Sequence, residues 1–214
     1  MPGRVNRTKL LPRSGPSRDA RLVVVATEDT HASPQYFEAL QRAELIDRSR
    51  VRLVVRPPEE GRTAPAHLIA ALDDFKAGLQ AKLGEDEYWM VFDVDHRRDK
   101  ELSDAASLAK QKGHRLAGSN PCFEVWLLLH ETADLSKVKT YVEDSAAADG
   151  CVAELRKALG SYSKNKVDAS RYTYESVSAA VERAAGQDRS DPWPAKVGSH
   201  VHRILASIGL RRPD

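Results

Sequence analysis

Short valine-rich runs alternate with longer segments of helical period in the first part of this chain. The runs RLVVVATE, VRLVVRP and YWMVFDVD begin at residues 21, 51 and 88. Between them lie PQYFEALQRAELI and APAHLIAALDDFKAGLQAKL, whose apolar residues recur at helical spacing. Continuous apolar runs are typical of strands buried on both faces, and the intervening helices supply the crossovers of a parallel sheet. The alternation therefore predicts an α/β fold.

The pattern continues into a fourth strand and then becomes helical. HRLAGS, residues 114–119, predicts that strand, and Asn120 and Pro121 are the expected N-cap and first residue of a very apolar helix, CFEVWLLLHE. Beyond Asp134 we expect no further strand. Helices are predicted over residues 134–146, 149–159, 170–186 and 197–208.

This pattern divides the 214 residues into three parts. Residues 1–20 hold five Lys and Arg residues against one acid and are rich in Pro, Gly and Ser, which predicts a flexible basic arm. Residues 21–133 form the α/β core, and residues 134–214 form a helical extension that packs on the core.

Several classes of protein are excluded by composition. No stretch approaches the roughly 18 apolar residues that a membrane span requires, and the N-terminal segment lacks the apolar centre of a secretory signal. Two cysteines in unrelated contexts suit free thiols in a reducing cytoplasm. Since the net charge is only +2, any contact with nucleic acid must come from local basic patches.

Acidic residues follow two of the predicted strands. Glu28 and Asp29 end the first strand, and Asp93 and Asp95, which point to one side of a strand, end the third. The carboxyl ends of strands line the functional crevice of an open α/β sheet. Carboxylates gathered there repel one another and require a cation to stay ionised. An all-oxygen ligand set suits Mg²⁺ or Mn²⁺, which serve in phosphate-ester chemistry.

Other uses of these residues are less well supported by the sequence. No GxxxxGK motif followed by Ser or Thr occurs, which disfavours a P-loop nucleotide hydrolase. A phospho-acceptor receiver domain fits the acid spacing but has no place for the helical second half. Cys122, at an apolar helix start, is better explained as a buried structural thiol than as a nucleophile. His200 and His202 diverge on a helix, and no cysteine pair has zinc-ligand spacing.

Several segments of the chain resemble a known family. GSNPCFEVWLLLHE, residues 118–131, resembles the hallmark segment of the RloB family. The resemblance extends to Glu28 with PQYFEAL, to FDVDH, to YSKN at 162–165, and to DPWPAKVGSHVHRIL near the C-terminus, so that it covers most of the chain after residue 20. The family is similar to Toprim-domain proteins, which place one Glu after the first strand and an Asp-x-Asp after a later one.

The resemblance implies roles for individual residues. Glu28, Asp93 and Asp95 match the metal-binding and catalytic carboxylates, with Mg²⁺ or Mn²⁺ as the cofactor. Glu124 belongs to the hallmark segment, and either it supports the metal as a third carboxylate or it orients a basic group. Lys164 matches the family's Tyr-x-Lys-Asn position.

The resemblance also implies a biological setting. Members of the family often occur beside an ATPase of AAA or ABC type in restriction-linked and phage-defence gene clusters, where a nuclease role in abortive infection is proposed. The expected partners are therefore RNA or DNA and an ATPase encoded nearby, in the cytoplasm and without a membrane. Assembly into a homo-oligomer is left open.

The segment after Glu28 departs from the family pattern. Family members typically continue with Gly, a second acid, Lys, and a Thr-Glu pair, whereas this chain has Asp29, Thr30, His31, Ala32 and Ser33. Without Gly the backbone cannot approach a phosphate as closely, and without Lys a cation is lost. Asp29 as a further ligand and His31 as a cationic or proton-transferring group are the substitutes that the sequence offers.

A basic, aromatic stretch lies in the helical half. Tyr162, Lys164, Lys166 and Arg171 combine rings that stack on bases with cations that contact phosphates, as single-stranded nucleic acid requires. The leading hypothesis is a Toprim-like α/β core with a helical C-terminal extension that acts as a divalent-metal-dependent nuclease. The alternative is a non-catalytic module that binds nucleic acid or a partner protein and carries a degenerate Toprim site.

Overall fold

A computed structural model describes residues 20–78, 86–94, 99–187 and 189–213. The predicted arm at residues 1–20 lies outside these ranges except for Ala20, and Asp95 lies outside them too. The α-helices and strands, in chain order, are β1 (Arg21–Thr27), α1 (Ala32–Arg42), β2 (Val51–Arg56), α2 (Pro65–Gly78), β3 (Glu87–Asp93), α3 (Asp99–Gln111), β4 (Arg115–Asn120), α4 (Glu124–Glu131), α5 (Ala147–Leu159), α6 (Tyr174–Ala185), β5 (Gly198–Ser199) and α7 (Val201–Ile208), and a short 3-10 helix (Ala169–Arg171) precedes α6.

The strands form one five-stranded sheet in the order β2-β1-β3-β4-β5. The first four run parallel, and β5 is antiparallel to β4. Val23 and Val25 face a core shared with α1, α4 and the C-terminal helices, while Val24 faces a second core shared with α2 and α3. All three valines are fully buried because β1 lies between helices on both faces. The predicted α/β class and the mainly parallel sheet are confirmed.

The helix predicted over residues 134–146 is absent from the structure, which has turns there. Local hydrogen bonds explain the error. Asp134 accepts from the Ser136 amide at 2.9 Å, and Asp144 accepts from the Ala146 amide at 2.9 Å. Such bonds from side chain to backbone compete with helix formation. The helix predicted over 170–186 likewise begins later, as α6, because Thr173 caps it.

The predicted start of the apolar helix is also wrong. Asn120 belongs to β4, where it pairs with Gly198 of β5, and its side-chain amide donates to the Pro194 carbonyl at 3.0 Å. Helix α4 therefore begins at Glu124 and has eight residues. The expectation that no strand follows Asp134 is wrong as well, because β5 occupies the start of the helix predicted at 197–208.

Helix α4 lies at the centre of the larger core. Trp126 is fully buried, in one cluster with Cys151 of α5, Val177 of α6 and Val201 of α7. Burial on all sides accounts for the nearly continuous apolar run of α4. Across the described ranges, no helix is both long and apolar enough to cross a membrane.

Candidate active site

Glu28 and Asp93 lie side by side at the carboxyl ends of β1 and β3. The Glu28 amide donates to the Val91 carbonyl at 2.9 Å, which continues the parallel pairing beyond β1. The Asp93 amide in turn donates to Oε2 of Glu28 at 2.9 Å. The two residues come from neighbouring strands, 65 positions apart in the sequence. Their predicted meeting at one end of the sheet is confirmed.

Asp93 also contacts the segment that leads into α4. Its Oδ1 accepts a hydrogen bond from the Phe123 amide at 2.8 Å, which fixes the orientation of the carboxyl group. Burial raises the pKa of Asp93 well above its usual value, and the charges of Glu28, Glu124 and Asp29 raise this pKa further. The charges of these three carboxylates therefore add to burial in disfavouring ionisation of Asp93, and the charge of Lys164 partly opposes them.

Glu124 joins this cluster from the first turn of α4. It is only 1% exposed, and its Oε1 accepts from the Tyr162 hydroxyl at 3.0 Å and pairs with Lys164 Nζ at 3.0 Å. Burial by itself lowers the pKa of Lys164, but the neighbouring negative charges, with Glu124 foremost, together outweigh burial and raise that pKa above its usual value. Lys164 therefore stays charged. The geometry favours the second of the two roles left open for Glu124, namely the orientation of a basic group.

The basic, aromatic stretch is divided between two places. Tyr162 and Lys164 contact the Glu124 carboxylate. Lys166 and Arg171 line a neighbouring pocket of about 650 Å³, which Tyr162 also lines. Arg171 donates to the Leu159 carbonyl at 3.1 Å, so its guanidinium group is partly engaged within the protein. Lys166 is exposed.

Asp29 has a structural task at the start of α1. Its Oδ1 accepts from the His31 amide at 2.8 Å, its Oδ2 accepts from the Ser33 amide at 3.1 Å, and the Ser33 hydroxyl also donates to it. These bonds satisfy amides that the first turn of a helix leaves without partners. They account for Asp29 without a metal. The side chain of His31 is exposed.

A family model described as RloB-like protein matches residues 23–208. The chain belongs to the RloB-like family. The match runs from β1 into the end of α7, so both the sheet edge that carries Glu28 and Asp93 and the turn that carries Lys164 lie within it. Comparisons with curated proteins and with solved structures found no match.

The carboxylates of this RloB-like chain suit a magnesium ion rather than a closed metal cage. Among the residues that the structure describes, no group of three or more His, Cys, Asp and Glu side chains is arranged to hold a metal. Asp95, the predicted third ligand, is outside those residues. Mg²⁺ usually keeps several waters and binds through one or two carboxylates plus substrate phosphates. Glu28 and Asp93 offer carboxylate oxygens in surroundings rich in negative charge, which fits this mode of Mg²⁺ binding.

Cys122 is unsuited to nucleophilic catalysis. The Cys151 side chain, with which it shares a hydrogen bond, and burial both raise the pKa of the Cys122 thiol well above its usual value. A thiol with a raised pKa stays protonated and unreactive. This agrees with the predicted structural role.

Gln35 is a residue of this region that the sequence analysis missed. It lies in α1, and its side chain contacts the backbone of Lys164 and of Val167. The sequence feature that could have indicated Gln35 is its position in PQYFEAL, one of the segments that resemble the family. Nothing in the helical pattern of that segment shows what Gln35 contacts.

Asp93→Asn should change how the stability of the metal-free protein depends on pH. Because the folded-state pKa of Asp93 is raised above its unfolded value of about 3.9, the folded state binds more protons between these two pKa values. Stability contributed by this group is therefore lost as the pH rises through that window. An asparagine does not titrate, yet its oxygen still accepts from the Phe123 amide, so the variant should lack this loss.

Urea unfolding at a series of pH values measures the effect. The difference in free energy of unfolding between variant and wild type should grow in favour of the variant as the pH rises above about 4. A difference that does not change with pH would show that the pKa of Asp93 is not raised.

Proposed function

We propose that this RloB-like protein is a divalent-metal-dependent nuclease that hydrolyses phosphodiester bonds of RNA or DNA at a Toprim-like site. The observation that carries the proposal is the meeting of Glu28 and Asp93, where the Asp93 amide donates to the Glu28 carboxylate at 2.9 Å. Burial and then the charges of the neighbouring acids raise the pKa of Asp93. Such a cluster is unfavourable without a cation, and strongly perturbed carboxylates concentrate at functional sites.

Glu28, Asp93 and the predicted ligand Asp95 would hold Mg²⁺ or Mn²⁺. When bound, the ion polarises the phosphodiester and lowers the pKa of an attacking water. Asp93 enters this arrangement already oriented by the Phe123 amide. Glu28, at the end of β1, is the group that we assign to proton transfer, as general base or acid.

Lys164 supplies the positive charge of the site. Its side chain is 50% exposed, and Glu124 holds its amine beside the carboxylates. A cation in this position can contact a phosphate oxygen while remaining anchored. Lys166 and Arg171, with the ring of Tyr162, extend the contact surface along the neighbouring pocket, where flanking nucleotides would bind.

The biological setting is proposed from the family. The resemblance to the RloB family supports a role in a phage-defence or restriction-linked system, with an AAA or ABC-type ATPase encoded nearby as a partner. A cytoplasmic location and assembly into a homo-oligomer belong to the same proposal.

A second candidate function is a non-catalytic module that binds nucleic acid or a partner protein. This alternative is supported by the structural roles of two of the four acidic residues. Asp29 accepts a hydrogen bond from the Ser33 amide in the first turn of α1, and Glu124 is neutralised by Lys164 and hydrogen-bonded by Tyr162. In such a module the remaining acids would be vestiges of a Toprim site.

Cleavage assays decide between the two functions. Labelled RNA and DNA are incubated with the protein, with and without Mg²⁺ or Mn²⁺, alone and together with the product of the neighbouring ATPase gene. The nuclease proposal expects products only when the metal is present. Binding without cleavage under every metal and partner condition would favour the non-catalytic module.

Lys164→Ala should weaken nucleic-acid binding about equally across sequences and lower its salt dependence. Loss of one phosphate contact reduces the slope of log affinity against log salt concentration by roughly 0.7 to 0.9. Binding is measured by titration at several salt concentrations in the absence of divalent metal. Lys157→Ala, which removes an exposed cation of α5, is the matched control. An unchanged slope in Lys164→Ala would exclude the phosphate contact.

A further inference from the structure

Gln35 connects α1 to a distant turn through both ends of its side-chain amide. Its Nε2 donates to the Lys164 carbonyl at 3.2 Å, and its Oε1 accepts from the Val167 amide at 3.0 Å. The partners lie 129 and 132 positions away in the sequence. One side chain thus holds two backbone groups of a single segment, residues 162–167, which we name the lysine turn.

The lysine turn is small and largely exposed. Ser163 and Lys166 pair across it, and the Lys166 amide donates to the Ser163 carbonyl at 3.1 Å. All four residues from Ser163 to Lys166 are exposed. Tyr162 and Val167, at its two ends, pack against the larger core, but the four residues between them gain little stability from apolar burial. Polar contacts with the core therefore have a large share in fixing the place of Lys164.

Two side chains of the lysine turn meet the carboxylate cluster. The Tyr162 hydroxyl and the Lys164 amine both contact Oε1 of Glu124 at 3.0 Å. A lysine has a long flexible stem, so the position of its ammonium group is well defined only when its backbone is fixed. Gln35 binds the carbonyl of that same lysine.

We propose that Gln35 is a positioning residue, which fixes the backbone of the lysine turn so that Lys164 is presented to Glu124 beside Glu28 and Asp93. The inference deepens the proposed function, because Lys164 is the cation expected to meet the phosphate there. Gln35 itself touches neither phosphate nor metal. Gln35 acts indirectly, by fixing the position of Lys164.

Gln35→Met is the variant that tests the inference. Methionine keeps the length, volume and helix propensity of glutamine but forms neither of the two hydrogen bonds. The matched control is Gln41→Met in the same helix, because Gln41 donates to the Leu53 carbonyl of β2 at 2.8 Å and does not belong to this site. A general weakening of α1 would affect both variants alike.

The first readout is amide hydrogen exchange, which needs neither substrate nor metal. Exchange of the Lys166 amide, which bonds to the Ser163 carbonyl and not to Gln35, should rise about tenfold or more in Gln35→Met, since the turn then opens more often. It should be unchanged in Gln41→Met. Equal exchange of the turn in wild type and Gln35→Met would overturn the inference whether or not the protein is a nuclease.

The second readout is nucleic-acid affinity in a double-variant series, measured without divalent metal. Gln35→Met should reduce affinity and its salt dependence in the same direction as Lys164→Ala. In the Lys164→Ala background, Gln35→Met should change affinity less than about twofold, because its effect passes through Lys164. If the losses of affinity caused by Gln35→Met and by Lys164→Ala multiply in the double variant, the inference is wrong. If exchange responds as expected but no variant affects nucleic-acid binding, the phosphate contact proposed for Lys164 is excluded and the positioning role of Gln35 stands.

Discussion

Glu28→Gln should lower the rate of cleavage by about 100-fold or more, as expected when a general acid or base is removed. Glutamine keeps the length of the side chain, and its carbonyl oxygen still accepts from the Asp93 amide, as Oε2 of Glu28 does at 2.9 Å. What it loses is basicity and charge. Substrate affinity should therefore be retained, because Glu28 is assigned to proton transfer and to the metal rather than to the nucleic acid.

Single-turnover cleavage and a separate binding titration measure the two quantities. Glu38→Gln is the matched control, since Glu38 lies on the exposed face of α1 and pairs only loosely with Arg42, at 3.6 Å. Cleavage by the control should equal that of wild type. If wild type cleaves and Glu28→Gln cleaves equally fast, Glu28 is not the proton-transfer group.

Asp93→Asn should lower the affinity for Mn²⁺ by more than about 100-fold. Loss of a residue that merely supports a metal ligand already costs about 10- to 100-fold, and Asp93 is proposed as a direct ligand. Asparagine offers a neutral oxygen in place of a charged one, so the attraction to a divalent cation falls further. Calorimetric titration with Mn²⁺ measures the affinity without any substrate.

A series of variants makes this test specific. Asp95→Asn and the double variant Asp93→Asn/Asp95→Asn test the predicted third ligand, and Asp149→Asn, in the exposed first turn of α5, is the control for loss of one acid. The double variant should show no measurable binding, while the control should bind like wild type. Equal binding by wild type and the double variant would remove both residues from the metal site.

The results for Glu28→Gln and Asp93→Asn together decide whether the protein is a nuclease or a non-catalytic module. Loss of Mn²⁺ binding in Asp93→Asn and loss of cleavage in Glu28→Gln would place metal and proton transfer at the same sheet edge. A wild type that binds nucleic acid but never cleaves it, and that Glu28→Gln leaves unchanged, would instead establish the non-catalytic module.

The sequence alone was sufficient to predict the frame of the sheet. Strands β1 and β2 begin at residues 21 and 51, where the predicted apolar runs begin, and β3 begins one residue before the predicted 88. β1 and β3 lie inside the sheet and are buried on both faces along most of their length, so their apolar runs are nearly continuous and end where the chain reaches the sheet edge. β2 lies at the edge of the sheet, and Arg52 and Arg56 interrupt its burial. The same regularity placed Glu28 and Asp93 at one edge, because neighbouring parallel strands end on the same side.

The tertiary structure decided what depends on contacts between distant segments. β5 has two residues, and they are a strand only because they pair with Ser119 and Asn120. No local sequence pattern could therefore predict this strand. Residues 134–146 carry a helical pattern, but their own side-chain caps hold them in turns. Glu124 pairs with Lys164, and Gln35 binds the lysine turn; both contacts join positions that are far apart in the chain. Sequence periodicity predicts only which face of its own helix or strand a residue occupies, so it could not predict these contacts.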